Sequence, residues 1–231
     1  MCGRYTNTAG VEELNDRLGF PIEDEQGTHR YNIAPTEEVL AFVAPDGRPQ
    51  ARMLRWGLIP PGSTDMKAGG RLMINARMET VASKRPFAPL LGKASRRALQ
   101  IADGYFEWLA PERRGEPRQP FYFQLDGGVP FAFAALWTPA KVAEEWVHSI
   151  TMLTCDASPN HLAAAIHARM PVILADAEAR RAWLDPALEG EDALALCHAM
   201  PESRLSARPA NPAVNRADPE KEGPELLLAP A

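Results

Sequence analysis

The sequence predicts a single α+β domain built on a mainly antiparallel, barrel-like sheet with short helices at its periphery. Strand-like runs dominate the middle of the chain, and the helical patterns are short and lie mostly toward its end. The 22 prolines among 231 residues indicate many turns rather than long helices. We expect the domain to span residues 1–223 and residues 224–231 to form a C-terminal tail prone to disorder.

Hydrophobic periodicity predicts the individual elements. Val11, Leu14 and Leu18 share one side of a helix predicted over Ala9–Leu18, with Thr8 as its N-cap. Seven apolar runs are predicted strands: Val39–Val43, Met53–Trp56, Ala98–Ala102, Tyr105–Leu109, Pro120–Leu125, Pro130–Trp137 and Trp146–Thr154. Aromatic residues alternate along two of these strands, and we interpret those residues as core.

A turn and three later helices complete the element predictions. Asp126-Gly127-Gly128 lies between the two aromatic strands and is typical of a β-hairpin. The later helices are predicted over Pro159–Ile166, Asp176–Leu184 and Asp192–His198. From Pro201 onward, the composition predicts an extended segment that wraps the surface.

The charge of the chain is unevenly distributed. The whole sequence carries a formal charge of −5, but residues 47–100 hold eleven basic and two acidic residues, a difference of +9. Phosphate binding needs a local basic surface rather than a basic protein. A solvated charged face is the alternative interpretation of the same segment.

The cysteines and the apolar runs exclude several classes of protein. Cys2, Cys155 and Cys197 form neither a disulfide framework nor a CxxC metal motif, and no histidine pair has the spacing of a zinc helix. We expect Cys155 and Cys197 to be small buried thiols, and we expect no metal and no other cofactor. No apolar run approaches the roughly 20 residues that cross a bilayer, and the N-terminus is not a signal peptide. We therefore expect a cytoplasmic protein.

Cys2 is the candidate nucleophile because of its position in the chain. Removal of Met1 would leave an α-amine, with a reference pKa of about 7.7–8.0, beside a thiol with a reference pKa of about 8.5. Such an amine condenses with an aldehyde to a Schiff base, and the thiol then closes onto the imine carbon as a thiazolidine. An incidental cysteine at position 2 is the alternative.

Two polar residues in apolar surroundings are candidate partners of Cys2. Asn75 follows the apolar run Leu72–Ile74, where we expect a buried strand to end. Glu107 lies in an aromatic strand, on the face opposite Phe106 and Trp108. Burial or pairing there tunes a carboxyl group for acid–base chemistry. A salt-bridged structural glutamate is the alternative.

His167 is the third candidate. It directly follows the apolar helix residues Ala163–Ile166 and precedes Arg169-Met170-Pro171. A histidine at such a junction between a helix and a strand can shuttle protons near neutral pH. A histidine that caps the helix or fills the core is the alternative.

Together these motifs strongly resemble the SRAP (SOS-response-associated peptidase) family. Each motif is short, but they follow one another in the family's order over most of the chain. They are Met1-Cys2-Gly3-Arg4-Tyr5, Arg30-Tyr31-Asn32-Ile33-Ala34-Pro35-Thr36, Arg55-Trp56-Gly57-Leu58-Ile59-Pro60, Asn75-Ala76-Arg77-Met78-Glu79-Thr80, Ala102-Asp103-Gly104-Tyr105-Phe106-Glu107-Trp108, His167-Ala168-Arg169-Met170-Pro171 and Val214-Asn215.

The resemblance implies a sensor and shield of abasic sites in single-stranded DNA. By similarity, Cys2 loses Met1 through self-catalysed peptidase chemistry and then traps the ring-opened sugar as a thiazolidine DNA–protein crosslink. Asn75 would orient Cys2 and the sugar, and Glu107 would move protons during ring opening and imine formation. His167 would act as general acid or base on the sugar hydroxyl and on the Schiff base, a lyase-like step that also assists slow reversal.

The resemblance also implies how DNA is held. Arg4 and Arg77 would hold the flanking phosphates, and Asn32 and Pro35 would line the cleft. The expected partner is single-stranded DNA that contains abasic sites, bound by a monomer that joins the nucleoid when it binds. Many family members carry aromatic residues in the loop after Trp-Gly, but residues 60–70 here contain none. We therefore expect binding to rely more on phosphate contacts than on base stacking.

Two other functions remain open from the sequence. A cysteine peptidase acting on other proteins would use Cys2 and His167 as nucleophile and base, although nothing resembles an oxyanion loop or a specificity pocket. A non-covalent binder of single-stranded nucleic acid would use the basic segment and would not need Cys2.

Overall fold

Thirteen strands carry the fold in the computed structural model, which describes residues 2–66, 72–111, 113, 115–217 and 222–229. The strands are β1 (Arg4–Asn7), β2 (Arg30–Ile33), β3 (Glu38–Val43), β4 (Gln50–Trp56), β5 (Asn75–Arg77), β6 (Arg97–Ala102), β7 (Gly104–Leu109), β8 (Gln119–Leu125), β9 (Phe131–Val142), β10 (Glu145–Asp156), β11 (Arg169–Pro171), β12 (Ile173–Leu174) and β13 (Leu205–Pro209).

The α-helices are short and lie around the strands. They are α1 (Val11–Leu18), α2 (Met78–Val81), α3 (Ala88–Leu91), α4 (His161–Ala164), α5 (Ala177–Leu184) and α6 (Gly190–Ala193). The longest of them have eight residues. Across the part of the chain that is described, no helix has the length and apolar character needed to span a membrane.

A closed five-stranded barrel forms the centre of the molecule. The barrel runs β10-β4-β3-β6-β9 and closes because β9 also pairs with β10. Each of these pairings is antiparallel except that of β4 with β10, which is parallel. Phe42, Leu99, Phe133 and Ile150 are fully buried in the main core. The barrel-based α+β prediction is therefore confirmed.

A second, fully antiparallel sheet packs beside the barrel in the order β13-β8-β7-β1-β2. Tyr5 of β1 joins the two layers, because its ring meets Trp56 and Phe133 of the barrel edge-on at centroid distances of 5.2 Å and 5.6 Å. Tyr105 of β7 stacks on Phe123 of β8 at 4.8 Å. The predicted aromatic core is confirmed for Phe123 of β8 and for Phe131, Phe133 and Trp137 of β9, and Phe121 packs half-buried against it.

The predicted hairpin at Asp126-Gly127-Gly128 is wrong. These residues do form a tight 3-10 turn, and Gly127 and Gly128 have φ values of 78° and 66°. The turn, however, leads from β8 in the second sheet to β9 in the barrel, and these two strands do not pair with each other. The glycine turn is present as predicted. However, β9 is buried along most of its length and pairs with strands of the barrel.

Two local predictions near the site are also corrected. Thr8 does not cap α1, whose N-cap is Gly10; instead the backbone N–H and the hydroxyl of Thr8 both donate to Asp103 Oδ2 at 2.6 Å. Leu72–Ile74 is not the strand that ends at Asn75. The strand is Asn75–Arg77 itself, paired in parallel with β10.

Of the three later predicted helices, the one over Asp176–Leu184 is confirmed as α5 with Asp176 as its N-cap, and the other two are shorter than predicted. Only His161–Ala164 of Pro159–Ile166 is α-helical, and Asp192–His198 is replaced by α6 and a 3-10 turn over Leu194–Leu196. Part of the predicted tail packs on the protein: Pro224–Leu227 form a 3-10 turn in which Leu226 is buried in a small outer cluster. The division of the chain at residue 223 stays a prediction, and residues 230–231 lie outside the described residues.

Gly104→Ala should destabilise the fold by about 1–3 kcal/mol, the usual cost of overpacking. A Cβ at Gly104 would lie 2.1 Å from the hydroxyl oxygen of Tyr122 and 2.3 Å from its ring. The measurement is urea unfolding. Gly92→Ala is the matched control, because its nearest new contact is Ala88 O at 3.6 Å. Equal unfolding midpoints for the two variants would contradict the prediction.

Candidate active site

Cys2 lies at the start of the second sheet, where β1 pairs with β7. Arg4 is opposite Phe106 and Tyr5 is opposite Tyr105, so the antiparallel register brings the residues before Arg4 alongside Glu107. Cys2 is only 1% exposed, and its thiol donates to the carbonyl oxygen of Arg4 at 3.6 Å. Burial and then the negative charge of Glu107 raise the pKa of the Cys2 thiol. The thiol is therefore neutral at physiological pH.

Asn75 holds the main chain of Cys2 from the barrel side. Its strand, β5, lies parallel to β10 with Asn75 opposite Met152. Asn75 Nδ2 donates to the carbonyl oxygen of Cys2 at 2.8 Å. Asn75 Oδ1 is buried and accepts no hydrogen bond from any described residue, so it remains available to accept one at this position.

Glu107 brings a carboxyl group into the same buried region. Its side chain is 4% exposed, and Oε1 lies 3.8 Å from Nδ1 of His167. Tyr105 belongs to the main core, whereas Phe106 and Trp108 belong to the outer cluster, which confirms the predicted division of faces along β7. Burial raises the pKa of Glu107, and the positive charge of His167 opposes that shift. Such a carboxyl group exchanges protons closer to neutral pH than an exposed glutamate does.

His167 connects Glu107 to solvent. It lies between α4 and β11, and 28% of its side chain is exposed. Its Nδ1 accepts a hydrogen bond from the backbone N–H of Arg169 at 3.0 Å. In the neutral ring this contact assigns the proton to Nε2. A protonated ring can instead donate from Nδ1 to the carbonyl oxygen of Arg169, which is also 3.0 Å away.

Arg169 is a positioning residue that the sequence did not single out. Its guanidinium forms a bidentate ion pair with Glu79, with Nη1 2.6 Å from Oε1 and Nη2 3.0 Å from Oε2. Nη2 also donates to the carbonyl oxygen of Thr154 at 2.6 Å. Glu79 lies in α2, directly after β5, so this pair braces the turn of His167 against the strand of Asn75. Both charges lie in the quoted motifs, but no spacing in the sequence indicates that residues 90 positions apart pair.

The two arginines predicted to bind DNA differ in exposure. Arg77 is exposed and lies two residues beyond Asn75, on the same side of β5. Arg4 is half-buried, and its Nη1 donates to the carbonyl oxygen of Gly3 at 2.9 Å. Burial lowers the pKa of Arg4, and the negative charge of Glu37 opposes that shift.

Asn32 and Pro35, the predicted cleft residues, lie on β2 and just after it. Pro35 is half-buried. Asn32 is buried, and its Nδ2 donates to the carbonyl oxygen of Arg216 at 2.9 Å. Its backbone N–H donates to Glu222 Oε1 at 3.2 Å, so the C-terminal segment lies against this strand.

The structure thus brings the four predicted catalytic residues together: Cys2, Asn75, Glu107 and His167. Cys155 and Cys197 are buried elsewhere in the core, as predicted. Within the described ranges, no group of three or more His, Cys, Asp or Glu side chains could hold a metal ion. The groups available at the site are a thiol, a carboxyl group, an imidazole and an amide. The predicted loss of Met1 concerns a residue outside the described ones.

Comparison with known proteins identifies the family of this chain. The family model described as "SOS response associated peptidase (SRAP)" matches residues 1–217, and the chain belongs to this family. Abasic site processing protein YoqW of Bacillus subtilis is 33% identical over 233 residues, covering 98% of this chain and 99% of the relative. Abasic site processing protein YedK of Escherichia coli is 32% identical over 235 residues, with the same coverage of 98% and 99%.

Solved structures share the fold. A protein from Bacteroides thetaiotaomicron superposes with a TM-score of 0.84 at 20% identity over 100% of both chains, a likeness that concerns the fold alone. A phage-related protein from Bordetella bronchiseptica gives a TM-score of 0.72 at 30% identity, covering 90% of this chain and 93% of that one.

Glu107→Gln should raise the free energy of unfolding at neutral pH. Burial raises the pKa of Glu107, so the folded protein binds this proton more tightly than the unfolded chain does. The wild type therefore loses stability as the pH rises from the unfolded value of about 4.3 through the folded pKa. Glutamine keeps the shape without the charge, so the gain should shrink toward pH 4.

Urea unfolding at several pH values measures this effect. Glu23→Gln is the control, because Glu23 is exposed and its substitution should leave stability unchanged across the same range. A Glu107→Gln variant that is less stable than the wild type at neutral pH would contradict the conclusion that burial raises the pKa of Glu107.

Proposed function

We propose that the protein senses abasic sites in single-stranded DNA and shields them in a covalent thiazolidine crosslink to Cys2. The grouping of these side chains carries the proposal. Asn75 fixes the main chain of a buried Cys2, Glu107 is close enough for its charge to act on the thiol, and Glu107 Oε1 lies 3.8 Å from Nδ1 of His167. The proposal is supported by relatives named abasic site processing proteins, including that of Xenopus tropicalis, HMCES, which is 29% identical over 280 residues.

The chemistry begins with hydrolysis of the peptide bond between Met1 and Cys2, in which one water molecule releases Met1 and frees the α-amine. The amine adds to the C1′ aldehyde of the ring-opened deoxyribose, and loss of one water molecule gives the imine. The thiol sulfur of Cys2 then adds to the imine carbon while its proton passes to the nitrogen. The product is a five-membered thiazolidine, and the DNA strand is left uncleaved.

Glu107 and His167 are assigned the proton transfers. A carboxyl group with a raised pKa can protonate the departing hydroxyl of the carbinolamine, and its carboxylate can then accept the thiol proton. His167 reaches both Glu107 and solvent and can restore the protonation state between steps. The same imidazole can act on the sugar hydroxyl during ring opening.

Asn75 is assigned an orienting role. The hydrogen bond from its Nδ2 to Cys2 O restricts the main chain of Cys2, which fixes the direction of both nucleophiles. Its Oδ1 is positioned to accept a hydrogen bond from the α-amine or a sugar hydroxyl. Asn75 therefore acts on Cys2 and on the sugar at once.

We assign Arg4 and Arg77 to phosphates on either side of the abasic nucleotide, with Asn32 and Pro35 along the cleft. Single-stranded DNA is the preferred substrate, because its sugar can enter a pocket without the cost of opening a duplex. We further propose that the protein acts as a cytoplasmic monomer that joins the nucleoid when it binds DNA. A peptidase acting on other proteins is disfavoured, because its nucleophile should be an accessible thiolate rather than a buried thiol.

Incubation with a single-stranded oligonucleotide that holds one abasic site should give a covalent band on a denaturing gel. The thiazolidine band needs no reductant to survive denaturation, and Cys2→Ala should abolish it because the thiol is lost. Cys2→Ser keeps the α-amine but forms no thiazolidine, so its adduct should survive only after borohydride reduction. Mass spectrometry should show that the crosslinked protein lacks Met1.

Cys197→Ser is the matched control and should crosslink like the wild type, since Cys197 is buried next to Arg97 and the 3-10 turn over Leu194–Leu196 rather than beside Cys2 and Glu107. Intact DNA should give no covalent band. Non-covalent binding with no crosslink would favour a simple single-stranded DNA binder, and turnover of unrelated peptides would favour a peptidase. Either result would overturn the proposal.

Glu107→Gln should slow crosslinking by about 10²-fold or more, which is typical for loss of a general acid–base group. The rate of the wild type should change with pH through the raised pKa of Glu107, and that change should be lost in the variant. Single-turnover rates measured by gel at several pH values test this. A rate within about threefold of the wild type at every pH would exclude Glu107 from proton transfer.

A further inference from the structure

Trp146 is a tryptophan that lies on the surface of the protein instead of in its core. It lies near the start of β10, and 68% of its surface is exposed. Trp56, Trp137 and Trp183 are buried, and Trp108 is half-buried. A large aromatic side chain left in water is unfavourable, and beside a groove it indicates a binding surface.

Trp146 borders a groove of about 390 Å³ on the outside of the barrel. Thr36, Arg55 and Met66 line the groove with it, together with Glu38, Met53, Val147 and His148. Arg55 Nη1 donates to the carbonyl oxygen of Gly57 at 3.1 Å, which fixes the guanidinium at this place. The groove therefore combines an open aromatic face with a fixed cation.

Further positive charge lies next to the groove. The guanidinium groups of Arg52 and Arg96 lie over the ring of Trp137, at 5.9 Å and 5.0 Å from its centroid. That ring meets His148, a lining residue of the groove, at 5.8 Å. Arg55 and Glu38 are oppositely charged lining residues, Arg52 and Arg96 add positive charge beside the groove, and Glu145 precedes Trp146. Arginines next to an open aromatic face suit a ligand that offers both phosphates and bases.

One chain segment connects the predicted cleft to this groove. Thr36 directly follows Pro35, and its backbone N–H donates to Trp56 O at 2.8 Å. The next residue, Glu37, lies close enough to Arg4 for its charge to act on that guanidinium. The segment that joins β2 to β3 thus runs from the predicted cleft to the groove.

We propose that Trp146 is a stacking platform for an unpaired nucleobase of single-stranded DNA, with Arg55 contacting the adjacent phosphate. The inference rests on the proposed function and deepens it. It also gives a role to part of the basic segment of residues 47–100. Arg55 lines this groove and Arg52 and Arg96 flank it, whereas Arg77 lies on β5 near Asn75. Residues 60–70 hold no aromatic side chain, and Trp146 supplies one at the groove that Met66 also lines.

Intrinsic fluorescence tests the proposal on intact single-stranded DNA, which holds no aldehyde and so cannot crosslink. Binding should quench the emission of the wild type, and Trp146→Phe should lose most of that quenching while it retains affinity. Trp146→Ala should raise Kd about tenfold, because stacking of one base contributes a factor of this size. Leu228→Ala is the control: Leu228 is 57% exposed in the C-terminal segment, and its loss should leave Kd unchanged.

A second oligonucleotide, in which reduced, base-free spacers replace every base, separates stacking from phosphate binding. The wild type and Trp146→Ala should bind it equally. The stacking proposal would be wrong if Trp146→Ala bound intact single-stranded DNA with the Kd of the wild type. It would also be wrong if the Kd values of the two proteins differed as much on the base-free strand as on intact DNA. If the crosslink fails but binding of intact DNA depends on Trp146, the covalent function is wrong and the platform stands.

Discussion

The pairing of β1 with β7 is the constraint on which the site depends. Because Arg4 lies opposite Phe106, the first residues of the chain run alongside Glu107. The pair is held against the barrel by the ring of Tyr5 and at its other end by Asp103, whose carboxylate accepts hydrogen bonds from Thr6, Thr8 and Ala9. A chain terminus is ordinarily mobile. Here the second sheet and the barrel together fix the segment that contains Cys2, as the proposed role of Cys2 requires.

The electrostatics of the site follow from placing a thiol and a carboxyl group in one buried space. Each is harder to ionise because of burial, and the charge of Glu107 further raises the pKa of Cys2. The site therefore disfavours a thiolate, which protects Cys2 from adventitious alkylation and oxidation. This arrangement suits a single stoichiometric trapping reaction, in which proton transfer accompanies bond formation, better than repeated turnover by a thiolate. His167, at the edge of the buried space, connects it to solvent.

The sequence predicted which residues lie together at this site better than it predicted the contacts that support them. Cys2, Asn75, Glu107 and His167 were identifiable because each lies in a short, ordered motif, and the barrel followed from strand-rich periodicity. The pairing of β8 with β13 rather than β9 was not identifiable, because neighbouring strands joined by a glycine turn normally form a hairpin. Strands as short as β5 lack a periodic signal. The ion pair of Arg169 with Glu79 joins distant segments, which no local pattern indicates.

The basic segment shows why charge counted along a sequence differs from charge presented to a ligand. Arg97 belongs to that segment, yet it is fully buried and donates to the carbonyl oxygens of Asp185 and Leu188, so it stabilises the fold and offers nothing to DNA. Arg77 is exposed on β5, two residues beyond Asn75. Arg55, on the barrel, instead borders an open aromatic groove. In the proposed function, the second sheet therefore supplies Cys2 and Arg4, whereas β5 and the barrel supply Arg77, Arg55 and the aromatic face that would orient a strand.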